Sequence, residues 1–565
     1  MSLITRFLPV LVGACVLAVS PSPRADQPLE ALLVPFDEST PGVLVGVVRD
    51  GELVEAGVAG MADLRFGVAL EKESLVNIGS TAKQFTGMAL ALLHAREILS
   101  LDDDVREHIP ELPEFEHPVT LRHLLSHTSG YREFINSEAL AGVRIEKGDW
   151  LDLDAVMATV ERQPALQNRP GEEWNYNNTG YSLLAEVVSR VTRTPYPDWV
   201  REEILEPLGM HDTYFRMDPD EVLAGAITGY AKENGRYREA RDIGGALGAG
   251  GVYTTLADMA RWMVHLGRFK LGGEIVGELM TTPFELGEGS SSGYGLGLII
   301  DEFRGLKRWQ HGGGDIGHLS VFDYFPEHHT GYMIFANHHG IDSDFIHAVA
   351  EIALGDHLEE REPSSDTGLA PDPTDDEAGF SDELFDRYAG GYELEGVPGF
   401  VMRFYRDEGR YMIQATGQPA FEIEPVAANV FTQDQVGARF VFQVEDDGSV
   451  PELTLYQNGE HRAVRVEDHE GEDEGVTGKL DEYAGRYVSD ELETFYTIAL
   501  NDAGGLELRH RRFGPVLLHP AGADRFSGSF PVVSVEFLRD EDERLVGLKA
   551  GNVRARDIRF ERVDP

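Results

Sequence analysis

The sequence predicts an α+β domain followed by two small all-β, barrel-like domains. Three observations lead there. Strand-like runs stand at both ends of the first 355 or so residues, with helical patterns between them, as in a domain whose sheet is assembled from distant parts of the chain. Two acidic stretches without apolar period interrupt the remainder. The segments that follow those stretches repeat one another, and a chain of 565 residues exceeds what one core organises.

Taken in order, residues 1–25 carry Arg6, an apolar run from Phe7 to Val19, and then Ser20-Pro21-Ser22-Pro23-Arg24-Ala25. The run is too short to span a bilayer well and has the layout of a secretory signal cleaved after Ala25. The expectation is an exported chain, periplasmic or secreted. A second reading takes Val12-Gly13-Ala14-Cys15 as a lipoprotein box with Cys15 acylated. No other segment is apolar enough for a transmembrane span.

Residues 30–356 form the α+β domain. Val43–Val48 and Leu53–Val58 flank Asp50-Gly51 as a hairpin. Helical patterns follow Ser80, Leu121 and Tyr181 and recur from Thr255 to Leu266; strand-like runs return at Gly297–Asp301, Ser320–Phe325 and Gly331–Phe335. Residues 357–380 and 467–478 read as acidic linkers. Between and after them, 381–466 and 479–565 are the two β-domains. Asp386-Arg387-Tyr388-Ala389-Gly390-Gly391-Tyr392 recurs as Asp481-Glu482-Tyr483-Ala484-Gly485-Arg486-Tyr487, a duplication rather than a solenoid period.

Charge narrows the partners. With 98 acidic and 49 basic residues, the formal net charge is −49, which repels nucleic acid and anionic membrane surfaces. Cys15 is the only cysteine, so no intrachain disulfide or thiolate metal site forms. Six histidines fall between His311 and His339, but their spacing matches no hydrolase zinc motif, and no metal or cofactor is expected. Oligomeric state is left open.

Three motifs carry chemistry. Gly79-Ser80-Thr81-Ala82-Lys83 turns into a helix, placing the Lys83 amine one turn from the Ser80 hydroxyl. A desolvated lysine can activate such a hydroxyl, and a helix N-terminus offers N–H groups to an oxyanion. Alone, Ser-x-x-Lys is equally an N-cap beside a solvated lysine. Trp174-Asn175-Tyr176-Asn177-Asn178 supplies a phenol for proton relay and an amide for a substrate carbonyl; its plain alternative is a polar loop before the helix at Tyr181. His311-Gly312-Gly313-Gly314 precedes a strand, and such glycines permit close backbone approach.

In this order, Ser80-x-x-Lys83, Tyr176-x-Asn178 and His311-x-Gly313 resemble the penicillin-recognising serine hydrolases: the class C β-lactamase, D-alanyl-D-alanine carboxypeptidase, D-aminopeptidase and esterase group. Leu124-Leu125-Ser126-His127-Thr128-Ser129-Gly130, Pro207-Leu208-Gly209-Met210 and Gly250-Gly251-Val252-Tyr253-Thr254-Thr255 extend the resemblance over about residues 35–355. It implies a β-lactamase-like domain, an antiparallel sheet flanked by helices plus a helical subdomain. It further implies Ser80 as acyl-forming nucleophile, Lys83 as its activator and Tyr176 as base or proton relay. Asn178 and the His311-x-Gly313 segment would bind substrate, and the N–H groups of Ser80 and Gly314 would form the oxyanion hole.

His311 stands where many relatives carry a lysine that holds a carboxylate. A histidine is only partly charged near neutral pH, which turns the expectation from β-lactams toward small amides or esters. The duplicated tail is similar in architecture to bacterial D-aminopeptidases, in which a loop of a C-terminal domain reaches the active site; no residue of this sequence singles out such a loop. The implied function is a peptidase or amidase on small D-amino-acid-containing or related peptides. Alternatives are a carboxylesterase or weak β-lactamase with the same machinery, or an inactive binding protein on the scaffold.

Overall fold

The computed structural model describes residues 29–563, except 219, 234, 241–244, 246, 360–380, 395–400, 408, 416–420, 434–437, 446–447, 457–459, 467–479 and 502–503. The signal stretch, Cys15 and nearly all of both acidic linkers lie outside the described residues.

Val43–Arg49 is the strand on which the first domain is organised, with six consecutive buried residues. Both its faces are covered. Val43, Val45 and Val47 pack in a layer with Leu29, Leu33, Val349 and Ala353, while Leu44 and Val48 join Val76, Met259, Met263 and Phe335 on the other side. A strand buried on both faces reads as a continuous apolar run rather than an alternation. Asp50 and Gly51 take φ of +51° and +90°, the left-handed pair a two-residue hairpin needs, and the chain returns as Glu52–Ala59.

Around this pair the antiparallel sheet runs Ile299–Phe303, Leu306–Gln310, His318–Phe325, Thr330–Ala336, Val43–Arg49, Glu52–Ala59, with Gly313–Asp315 added beside His318–Phe325. Leu256–Leu266 packs on one face and Ser343–Leu354 on the other. Leu306–Gln310 escaped the sequence reading because Lys307, Arg308 and Gln310 break the apolar pattern. A helical subdomain lies between the sheet's two halves in sequence. Its longest helix, Asn178–Thr192, packs against Lys83–Ala95, which is buried along nearly its whole length.

The two C-terminal units have separate cores. Strands from Gly390 to Val466 form a nine-stranded antiparallel sheet. Strands from Gly485 to Val563 form a closed eight-stranded barrel, with the first strand paired to the last. The duplicated sequence makes the same local structure twice. Tyr392 Oη donates to Tyr388 O at 3.0 Å and Tyr487 Oη to Tyr483 O at 2.8 Å, and an arginine from the closing strand covers each ring, Arg465 on Tyr392 and Arg562 on Tyr487.

The barrel is seated on the helical subdomain. Leu140, at the end of helix Phe134–Leu140, belongs to the barrel's core, and its carbonyl accepts from Tyr496 Oη at 2.8 Å. Arg132 pairs with Glu491 at 3.0 Å, the side chains 5% and 8% exposed. Gly142 takes φ of +92° where a Cβ would lie 2.2 Å from His510 Cε1, so this contact needs glycine. Among the described residues no helix is long and apolar enough to cross a membrane.

Candidate active site

Ser80 sits in a 3₁₀ turn, Gly79–Ala82, that leads directly into helix Lys83–Ala95. Several bonds fix the turn. Asn77 Oδ1 accepts the Gly79 N–H at 2.8 Å, Ser320 Oγ donates to Ile78 O at 2.8 Å, and Thr81 Oγ1 donates to His311 O at 3.1 Å. Gly79 has φ of +49°, and a Cβ there would lie 2.9 Å from the Gly314 nitrogen. A Cβ on Gly313 would lie 2.0 Å from Ile78 O. The glycines thus let strand Gly313–Asp315 lie against the Ser80 turn, with Asn77 Nδ2 donating to Asp315 Oδ2 at 2.8 Å across the seam.

Lys83 is 0% exposed. Its Nζ lies 3.0 Å from Ser80 Oγ, 2.7 Å from Asn178 Oδ1 and 2.8 Å from Ala249 O. Burial holds its pKa well below the ordinary lysine value, with Glu133 opposing and Arg554 reinforcing the shift. The two carbonyl oxygens can only accept. A neutral amine therefore gives them its two N–H bonds and keeps its lone pair for the Ser80 hydroxyl, the arrangement a general base requires. Asn178 stands in that relay: Oδ1 accepts from Lys83, and Nδ2 donates to Glu133 Oε1 at 3.0 Å. The fully buried Glu133 takes the Asn136 N–H with its other oxygen at 2.8 Å.

Tyr176 is half-buried, and its hydroxyl interacts with Ser80. Burial raises the phenol's pKa, opposed by the Ser80 bond and by Arg554. Its ring centroid lies 4.9 Å from Lys83 Nζ. Behind it, the His127 ring sits at 4.3 Å and accepts the Asn177 N–H on Nδ1 at 3.0 Å. His127 is buried, and burial holds it neutral.

His311 is 3% exposed. Its Nδ1 lies 2.6 Å from Gly312 O and its Nε2 2.9 Å from Tyr294 Oη. The carbonyl requires the proton on Nδ1, so Nε2 accepts from the tyrosine. Burial first, and the nearby Lys83 charge second, bring its pKa down to about 3. The partial charge expected of His311 is thus replaced by a neutral ring with both nitrogens engaged internally.

Ser80, Asn178, Gly314 and Asp315 line a cleft together with the apolar side chains of Phe134, Ile135 and Leu151. Of the residues singled out from sequence, Ser80, Lys83, Tyr176 and Asn178 come together, Gly313 and Gly314 abut the Ser80 turn, and His311 lies beneath them. Glu133, Tyr294 and Arg554 were not singled out. Glu133 follows the Ser129-Gly130 turn with no flanking pattern, and Arg554 lies in the other end of the chain. Its guanidinium stands 5.1 Å from the centroid of the Tyr176 ring. No group of three or more potential metal ligands occurs among the described residues.

The Beta-lactamase family profile matches residues 29–356. Penicillin-binding protein 4* of Bacillus subtilis is 24% identical over 439 residues, 74% of this chain and 93% of that protein. The D-aminopeptidase of Brucella canis is 28% identical over 337 residues, 59% of this chain and 64% of its own length, so the chain spans just under two thirds of that relative. An octameric penicillin-binding protein homologue from Pyrococcus abyssi superposes with a TM-score of 0.54 at 22% identity, over 77% of this chain and 98% of that one, a likeness of fold.

Proposed function

The chain belongs to the Beta-lactamase family, and on that premise we propose that it is an exported serine hydrolase acting through an acyl-enzyme on Ser80. Its substrates are small D-amino-acid-containing or related peptides and amides. The observation that carries this reading is the Lys83 amine, 3.0 Å from Ser80 Oγ and desolvated, with two fixed carbonyl acceptors.

Ser80 Oγ attacks the scissile carbonyl as its proton passes to Lys83 Nζ, and a C–O bond forms. The N–H groups of Ser80 and Gly314 receive the oxyanion. Collapse breaks the C–N bond, and the leaving amine takes a proton through the Tyr176 hydroxyl, replenished from Lys83. Water then repeats the sequence on the ester. Opposite pKa shifts divide the labour: burial lowers the Lys83 pKa and favours its free-base form, whereas burial raises that of Tyr176, which remains a phenol able to donate. The D-aminopeptidase relative supports the substrate class. The Phe7–Val19 run supports export.

A fluorophosphonate probe is expected to label the wild-type chain and not Ser80→Ala. In a panel of D- and L-aminoacyl amides, short-chain esters and a chromogenic cephalosporin, the D-aminoacyl amides should turn over fastest. Equal labelling of Ser80→Ala overturns the mechanism, and a preference for esters or the cephalosporin overturns the substrate class.

A further inference from the structure

We propose that Arg554, brought beside the Tyr176 ring by the last loop of the barrel, selects substrates that bear a carboxylate, such as the C-terminus of a short peptide. The proposal rests on the Ser80 reading, whose substrate class it narrows.

Position is the first argument. Arg554 lies between strands Leu545–Gly551 and Ile558–Val563, yet its guanidinium faces the Tyr176 ring at 5.1 Å, the same ring that Lys83 Nζ approaches at 4.9 Å. Arginine stacked on an aromatic face keeps its edge N–H groups free for a planar anion.

Placement is fixed beforehand. The Arg554 carbonyl accepts the Glu133 N–H at 3.2 Å, and the Arg556 carbonyl accepts from Arg132 Nε at 2.8 Å. Asn552, buried at the base of the loop, exchanges hydrogen bonds with Asn136, its Oδ1 accepting from Asn136 Nδ2 and its Nδ2 donating to Asn136 O, both at 3.1 Å. Arg556 pairs with Glu173 at 2.7 Å. A loop held at this many points presents its side chain with little ordering cost on binding.

Pairing sets Arg554 apart from its neighbours. Other barrel-interface arginines have carboxylates: Arg132 with Glu491, Arg162 with Glu493, Arg512 with Asp149, Arg556 with Glu173. Among the described residues Arg554 has no ion pair. Glu133, the carboxylate behind Asn178, already spends its oxygens on Asn178 Nδ2 and the Asn136 N–H. In a chain of net charge −49, a half-buried unpaired cation over an acyl-transfer site is matched by an anion that arrives with the substrate. The motif that would otherwise supply a cation carries His311, whose ring is interior and engaged.

The test uses the full chain and two short D-aminoacyl peptides identical except for a C-terminal carboxylate or carboxamide. In an inactive Ser80→Ala background, calorimetry should show the acid binding about 10- to 100-fold tighter than the amide. Arg554→Gln should abolish the difference, Arg554→Lys restore part of it, and Arg554→Glu reverse it. With Ser80 present, Arg554→Gln should raise KM for the acid far more than it lowers kcat, a split that a merely structural role would not produce. No preference in the parent chain, or a preference that survives Arg554→Gln, overturns the proposal. If the Arg554-dependent preference appears but Ser80 neither reacts with fluorophosphonate nor turns over either peptide, the proposal stands and the acyl-enzyme reading falls.

Discussion

A lysine amine stripped of water either pairs with a carboxylate or gives up its proton. Lys83 has no carboxylate in direct contact; the charge of Glu133 reaches it through the Asn178 amide. Lys83→Met, which keeps most of the side-chain volume, is expected to slow fluorophosphonate labelling of Ser80 by about 10²- to 10⁴-fold, the usual worth of a positioned general base. Histidines show the same physics away from the chemistry. His265 is packed between Trp262 and Phe269 with neither ring nitrogen hydrogen-bonded, and burial brings it down to about 4; His311 falls to about 3. Both lie below the ordinary 6.5, so the unfolded chain binds more protons than the folded one between that value and 3 to 4. Stability is complete above pH 6.5 and is lost as pH falls. At pH 5 each such histidine costs about 2 kcal/mol relative to neutral pH. Urea midpoints at pH 7 and pH 5 should differ accordingly, and His265→Leu should shrink the difference.

Among elements, the seam between strand Gly313–Asp315 and the Ser80 turn is the most demanding. Gly313→Ala drives a methyl to 2.0 Å from Ile78 O and 2.4 Å from Ser320 Oγ, whereas a methyl on Gly312 meets only Ser320 O at 3.8 Å. The Gly313 variant is expected to lose at least about tenfold in Ser80 labelling rate, with Gly312→Ala near wild type; equal rates would mean that the seam tolerates displacement. This scale also shows what a single sequence reveals. Ser80 and Lys83 were legible as neighbours because one helical turn separates them, and Tyr176 and Asn178 joined them through the family resemblance of the three ordered motifs. Tyr294 was not, because its value lies in reaching His311 across a fold that no spacing encodes. His311 was legible as a motif residue and misread as partly charged, since burial is a property of the packed domain. The duplicated tyrosines Tyr388 and Tyr392, with Tyr483 and Tyr487, were visible as a repeat, and the carbonyl bonds and arginine lids that explain it emerged only in three dimensions.

At the scale of the molecule, the barrel is joined to the hydrolase by a buried ion pair rather than an apolar patch alone. Glu491→Gln leaves the Arg132 charge with backbone carbonyls for company and should cost roughly 3 kcal/mol in denaturant unfolding. The same variant should loosen the Arg554 loop, raising KM for the acid peptide above that for the amide. Strands at both ends of the first domain, helices between them and the all-β tail were readable from periodicity and turns, and the antiparallel sheet only through the family resemblance; the docking of the last barrel was not, because its contacts join residues that no motif relates.

Arg132 and the carbonyl of Arg556 that it holds are 424 residues apart in sequence. The ribosome therefore finishes the Ser80 turn long before it makes the loop that docks beside it. A chain cut short before the barrel carries the Ser80 turn without Arg554 beside the Tyr176 ring. Under the Arg554 proposal, such a chain should bind the acid and amide peptides alike.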